Sequence, residues 1–216
     1  MPQEAKVHRR EDHRPAPYTT DSVERHFELL QEQVDAATRT RANVRATLNM
    51  RPNPDAEQGA DIQPIRLDKG KNLNTPEIAK IVSVAMNGRR LEPGEYEETE
   101  DELVLPGSSG PCTITIETTH LPGENKRCYG IFKTGGTIAT MFESIGAGEV
   151  HPMQDRPDVM SRNVTTFEAP EAEFPTVLAI GEQTEASRDV TKGTHAGRFK
   201  SNIPVSPHVY AFVAGK

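Results

Sequence analysis

Apolar side chains in this chain come in short runs cut again and again by turn-forming residues, which leaves little room for a long helical face. Residues 78–86, IAKIVSVAM, are rich in β-branched side chains and stop at Asn87-Gly88, a dipeptide that accepts positive φ in a two-residue hairpin turn. The same pattern continues through residues 89–91, a turn at Pro93-Gly94, Tyr96, residues 103–105 and residues 113–118. Short strands at such spacing describe a β-meander. Residues 164–168, 176–180, 195–200 and 209–214 carry it on, and the 17 Pro and 16 Gly suit many turns better than helices. An all-β or β-rich fold of many short strands follows.

The first third is harder to read. Residues 1–17 are charged and proline-containing, an extended polar arm, and residues 18–216 form one domain. Val23, Phe27, Leu30 and Val34 stand at helical spacing, while Val23, Phe27 and Leu29 also fit alternation, so periodicity leaves both states open there. Ala42, Val44, Ala46 and Leu48 alternate with polar partners as a half-buried strand should. Residues 51–64, RPNPDAEQGADIQP, are a loop by composition.

Charge and cysteine content exclude several classes of function. The net charge of -7 is of mixed sign along the chain, which argues against nucleic acid as the main partner. Two cysteines, Cys112 and Cys128, make no disulfide framework, and no apolar run approaches the length of a membrane span or a signal-peptide core. These features predict a soluble intracellular protein in a reducing compartment, the cytoplasm or an organelle interior such as the mitochondrial matrix, with no direct membrane insertion.

Several motifs, taken in order, carry a resemblance. Arg14-Pro15-Ala16-Pro17-Tyr18 opens the series, IVSVAMNGRRLEPGEYEETEDELVLP follows, then GIFKTG at 130–135, DRPDV at 155–159 and YAFVAG at 210–215. In that order and spacing the chain resembles the N-terminal β-saddle domain of the aminopeptidase N family of zinc metallopeptidases. The resemblance implies that residues 20–34 are strand. It also implies a domain that caps a catalytic domain, with function in one loop, residues 140–146. Family members carry Gln, one residue, then Glu there, and the Glu helps hold the free α-amine of the substrate. Here the letters are Met141-Phe142-Glu143, so Glu143 is kept while Met141 removes a neutral acceptor. Residues 147–154 replace the family's basic and aromatic run.

The chemistry of hydrolysis is not written in these residues. Zinc hydrolysis needs H-E-x-x-H on a helix, and no two of the seven histidines stand four apart. Gly146-Ala147-Gly148-Glu149-Val150 resembles the family's exopeptidase motif only by chance, lacking its Met and Asn. Asp155, Arg156, Pro157 and Asp158 read as an ion-paired structural turn. Gly135-Gly136-Thr137 reads as a turn rather than a phosphate cradle, and Cys128 as a small buried strand residue. No cofactor and no metal are expected. The expected function is that of a non-catalytic structural or accessory subunit whose partners are other protein subunits of a larger assembly. The alternative is the amine-anchoring part of a zinc aminopeptidase whose catalytic domain lies on another chain.

Overall fold

Two long strands set the frame of the molecule. The computed structural model describes residues 14–34, 37–56 and 62–216. Strand β1 (Tyr18–Val34) and strand β2 (Ala37–Pro52) pair antiparallel over their whole lengths, so the helical spacing of Val23, Phe27, Leu30 and Val34 gives way to strand alternation. Val23, Phe27 and Leu29 point inward from β1, and Ala42, Val44, Ala46 and Leu48 do so from β2. One β-bulge between Thr20 and Ser22 keeps the two halves of β1 in phase with the core. Residues 1–13, which make up most of the expected arm, lie outside the described residues.

The chain then builds β3 (Ile65–Asp68), β4 (Ala79–Met86), β5 (Arg89–Arg90), β6 (Glu97–Glu98), β7 (Glu102–Leu105) and β8 (Cys112–His120). Asn87 and Gly88, with φ of 52° and 78°, close the β4–β5 turn. Next come β9 (Gly130–Thr134), β10 (Thr137–Met141), β11 (Arg162–Pro170), β12 (Thr176–Ala179), β13 (Glu182–Asp189), β14 (Thr194–Lys200) and β15 (Phe212–Gly215). Gly135 at φ 56° turns β9 into β10, as its glycines predict.

These strands form an eight-stranded sheet (β13-β14-β11-β1-β2-β8-β4-β5), a four-stranded sheet (β12-β15-β10-β9) and a three-stranded sheet (β3-β7-β6). The β1–β11 pair is parallel; the other strand pairs are antiparallel. One continuous apolar core takes residues from all three sheets. Phe27 of the large sheet stacks on Phe212 of the four-stranded sheet with ring centroids 4.1 Å apart, which ties those two layers together.

The two faces turned away from the core differ in chemistry. Across the large sheet the outward side chains form a polar lattice. Arg198 pairs with Glu185 at 3.2 Å, His26 bonds Thr166 at 2.9 Å, and Arg45 and Ser83 both reach Glu117 at 2.8 Å. Such a face is content in water. Across the four-stranded sheet, Leu178, Val213, Ala139 and Phe132 lie side by side in register on the outward phase. Thr176, Ile180, Ala211, Thr137 and Met141 extend that phase, and no outward position on these strands is charged. Leu178 is 60% exposed and Val213 38%.

Candidate functional site

The loop that follows β10 carries the residues singled out from sequence. Met141 ends the strand, Phe142 turns into the core, and Glu143, Ser144 and Ile145 face outward before Gly146 returns the chain to a 3-10 turn at Ala147–Glu149. Met141 is 45% exposed and Ile145 66%. The Glu143 carboxylate has no hydrogen-bond or ion-pair partner among the described residues. The Glu143–Ser144 peptide is cis. Two backbone N–H groups hold the loop's shape: Gly146 N–H donates to the Phe142 carbonyl at 2.7 Å and Ser144 N–H donates to the Tyr129 side-chain hydroxyl at 2.9 Å. A Cβ at Gly146 would lie 2.5 Å from the Met141 carbonyl, so the turn needs glycine.

Beneath the loop is a buried cation that sequence reading did not pick out. Arg25 sits on the inward phase of β1, between Val23 and Phe27, and is 1% exposed. Its Nε donates to His151 Nε2 at 2.8 Å, its Nη1 to Asn163 Oδ1 at 2.6 Å, and its Nη2 to Met153 Sδ at 3.4 Å. The guanidinium also lies over the rings of Tyr210, at 4.2 Å, and Phe142, at 5.8 Å. Phe142 and Tyr210 stack on one another at 5.1 Å. Arg25 thus joins the large sheet, the candidate loop and the segment leading into β15. The signal for it is plain in retrospect: an arginine in phase with core residues of a strand.

Burial sets the charges around this network. Desolvation pulls Arg25 down to about 10, still protonated at neutral pH. It holds His151 well below the ordinary histidine value, aided by the neighbouring Arg25 charge, and His120 at about 4. Both imidazoles are therefore neutral, and since His151 Nε2 accepts from Arg25, its proton sits on Nδ1, facing the Pro152 carbonyl at 3.2 Å. Tyr210 is pushed up to about 12 by the same burial. None of these groups faces solvent, so none is placed to act on a ligand.

The DRPDV segment divides in two. Arg156 grips Asp158 through Nε at 2.9 Å and Nη2 at 2.8 Å. Asp155 takes no part in that pair: it turns inward, where its Oδ2 accepts from Gly148 N–H at 3.1 Å and its N–H donates to Asp68 Oδ2 at 2.8 Å. Burial raises Asp155 to about 6. Pro157 follows Arg156 in this turn, with its side chain exposed. A neighbouring cavity of about 370 Å³, with Asp68, Lys71, Arg127 and Ile145 on its wall, holds charges that are largely committed. Lys69 bonds Glu98 at 2.8 Å, and Glu149 accepts from the Asn72 backbone N–H at 2.6 Å beside Arg127 at 3.3 Å. Among the described residues no group of His, Cys, Asp and Glu side chains is arranged to hold a metal ion. No described helix is long and apolar enough to cross a membrane.

Cys128 departs from its sequence reading. It is exposed, at φ 55°, in the loop before β9 rather than buried in a strand. The reason is local: Asn125 Nδ2 donates to the Tyr129 and Ile131 carbonyls at 2.6 and 2.9 Å, closing a loop that throws residue 128 outward. Cys112, in β8, is the buried thiol.

Residues 27–209 match the family described as Peptidase M1 N-terminal domain. Aminopeptidase N of Caulobacter vibrioides is 31% identical over 204 residues, which cover 94% of this chain and 21% of that protein. Aminopeptidase N of Haemophilus influenzae is 31% identical over 136 residues, 62% of this chain and 15% of that protein. Among solved structures, Legionella pneumophila aminopeptidase A in complex with aspartic acid superposes with a TM-score of 0.81 at 26% identity, covering 98% of this chain and 23% of that one. An M1 zinc metallopeptidase from Deinococcus radiodurans, at 15% identity and TM-score 0.68, shares the fold. The chain thus spans only 21% and 15% of the lengths of these two curated relatives.

Proposed function

Because the chain belongs to the peptidase M1 N-terminal domain family, we propose that it acts as a non-catalytic docking domain of a larger protein assembly. In this reading the outer face of the four-stranded sheet lies against another protein domain, and the Met141–Ile145 loop stands at the edge of that contact. The observation that carries it is the contrast between the two outer faces. In a chain with 26% charged residues, one sheet surface is a charged lattice and the other has no charge at all. A water-facing sheet keeps polar side chains outward, whereas an uncharged apolar face marks a contact site. The buried polar network supports the same reading, because its hydrogen bonds are spent on holding the scaffold. Two free cysteines, one of them exposed, suit the interior of a cell, cytoplasm or organelle.

The test is native purification of the tagged chain. The reading expects a stable stoichiometric complex and no release of amino acids from aminoacyl substrates by the chain alone. A chain recovered alone as a monomer, or one that cleaves such substrates by itself, overturns it.

One observation favours a second reading, that Glu143 anchors a substrate amine for a catalytic domain. The carboxylate is exposed, unpartnered and set between two exposed apolar side chains, so an ammonium could reach it. Adding a separate M1 catalytic chain then restores aminoacyl cleavage, and Glu143→Ala weakens it. Restored cleavage that is indifferent to Glu143→Ala removes this reading.

A further inference from the structure

Each sheet ends in two edge strands, and an open edge invites pairing unless charge, brevity or a cap guards it. All but one are guarded. Strand β13 carries Glu182, Glu185, Arg188 and Asp189, with a bulge between Gln183 and Glu185. Strands β5 and β6 are only Arg89-Arg90 and Glu97-Glu98. On β3, Asp68 exchanges both backbone bonds with Met153, at 2.7 and 3.2 Å. On β9, Lys133 N–H donates to the Pro122 carbonyl at 3.0 Å, and the Ile131 carbonyl accepts from Asn125 Nδ2 at 2.9 Å. Strand β12, residues 176–179, has neither charge nor cap among the described residues.

Hydrogen bonding fixes which groups of β12 are open. Ile180 N–H donates to the Ala211 carbonyl at 3.1 Å, and the same register sets Leu178 against Val213 and Thr176 against Gly215. Bonded pairs alternate along an antiparallel ladder. Thr176, Leu178 and Ile180 therefore turn their backbone groups to β15, and Val177 and Ala179 turn theirs to the open edge. The usable window closes at equal distances on either side of Leu178: Pro175 has no N–H, and Gly181 stands at φ 99°. No residue from 175 to 181 is charged.

That window is its own complement. Laid antiparallel on a second copy about a two-fold axis at Leu178, Val177 of each copy meets Ala179 of the other, and both pairs exchange N–H···O bonds. A slip of the register by two residues sets Ala179 against Pro175 or Val177 against Gly181 and loses bonds. We propose that β12 pairs with β12 of a second copy, joining the two four-stranded sheets into one continuous sheet. On the outer side Leu178, 60% exposed, packs on Leu178 of the other copy in the close, non-hydrogen-bonded kind of pair, with Thr176 opposite Ile180 at either flank. So short a contact makes a weak dimer, with a dissociation constant of about 10–100 µM. The outer face of the sheet stays open, so the pairing does not depend on what docks there.

Sedimentation equilibrium of the purified chain between about 5 and 500 µM reads the pairing, and the expected mass rises from that of one chain toward that of two. Leu178→Lys, which sets two ammonium groups against each other at the axis, raises the dissociation constant at least about tenfold, while Val213→Lys, one strand further in, leaves it within about threefold. In the unaltered chain the Val177 and Ala179 amides exchange at least about threefold more slowly at the higher concentration. A chain monomeric throughout, a dimer indifferent to Leu178→Lys, a dimer lost on Val213→Lys, or amides whose exchange ignores concentration each overturn the pairing. No partner enters these measurements, so the docking reading stands or falls separately.

Discussion

Removing the Arg25 side chain tests whether the buried network, and not apolar packing alone, holds the candidate loop. Arg25→Ala strips a donor from His151 Nε2 and from Asn163 Oδ1, leaving two buried acceptors that cost about 1–3 kcal/mol each. It also loses a desolvated cation–π contact with Tyr210, worth about 2 kcal/mol, and opens a cavity worth about 2 kcal/mol more. Against this, removing the charge relieves its burial cost. The drop to about 10 from arginine's ordinary value corresponds to about 3 kcal/mol. The net expectation is a loss of about 3–7 kcal/mol for Arg25→Ala and about 1–3 for Arg25→Met, which fills the space. Urea unfolding reads both, as a lower midpoint at constant slope. Because Phe142 lies between Met141 and Glu143 and packs under the same guanidinium, limited proteolysis within residues 141–146 rises in both variants. An Arg25→Met chain as stable as the parent, with an equally resistant loop, refutes the reasoning.

Other expectations follow from the same geometry. The folded chain holds His120 at about 4, below the unfolded value of about 6.5. The unfolded chain thus binds more protons across that window, and stability is lost as pH falls through it, by about 3 kcal/mol for His120. His151 acts in the same sense. Asp155, raised to about 6, acts in the opposite sense, its contribution being lost as pH rises from about 3.8 to 6. The histidines dominate, so urea midpoints fall on acidification from pH 7 to 4.5 and His120→Gln flattens the fall; a rising midpoint contradicts the assignment. Gly70→Ala places a Cβ 2.7 Å from the Glu149 Cα and costs about 1–3 kcal/mol by overpacking, which thermal unfolding detects; an unchanged midpoint means the loop yields. Glu143→Ala changes stability by no more than about 0.5 kcal/mol, since its carboxylate holds nothing in the fold; a larger loss reveals an internal role.

Much of the fold was legible because strand alternation and turn chemistry are local. The Asn87-Gly88 turn, the alternation of Ala42 to Leu48 and the short apolar runs each became the expected element. Strand β13, EQTEASRD, escaped notice because an exposed edge strand has no apolar phase to read. The parallel β1–β11 pairing joins residues far apart in sequence, and no local signal specifies it. In the candidate site, Glu143 and Met141 stand exposed on one loop, but the network under them was hidden. Its members, Arg25, His151, Asn163 and Tyr210, are scattered along the chain and meet only in the fold. The uncharged face was hidden for a similar reason: its residues come from four strands, and their common phase emerges only with the register.

Val213→Lys, compared with Thr47→Lys, tests the central claim most directly. Val213 lies on the outer face of the four-stranded sheet, 38% exposed, and Thr47 on the outer face of the large sheet. In the free chain both lysines reach water, so stability changes by no more than about 0.5 kcal/mol. If the four-stranded sheet is the docking face, assembly buries an unpaired charge at Val213→Lys, costing several kcal/mol and at least about a hundredfold in recovered complex, while Thr47→Lys assembles normally. Undiminished assembly of Val213→Lys, with loss on Thr47→Lys, places the contact on the charged sheet and contradicts the account.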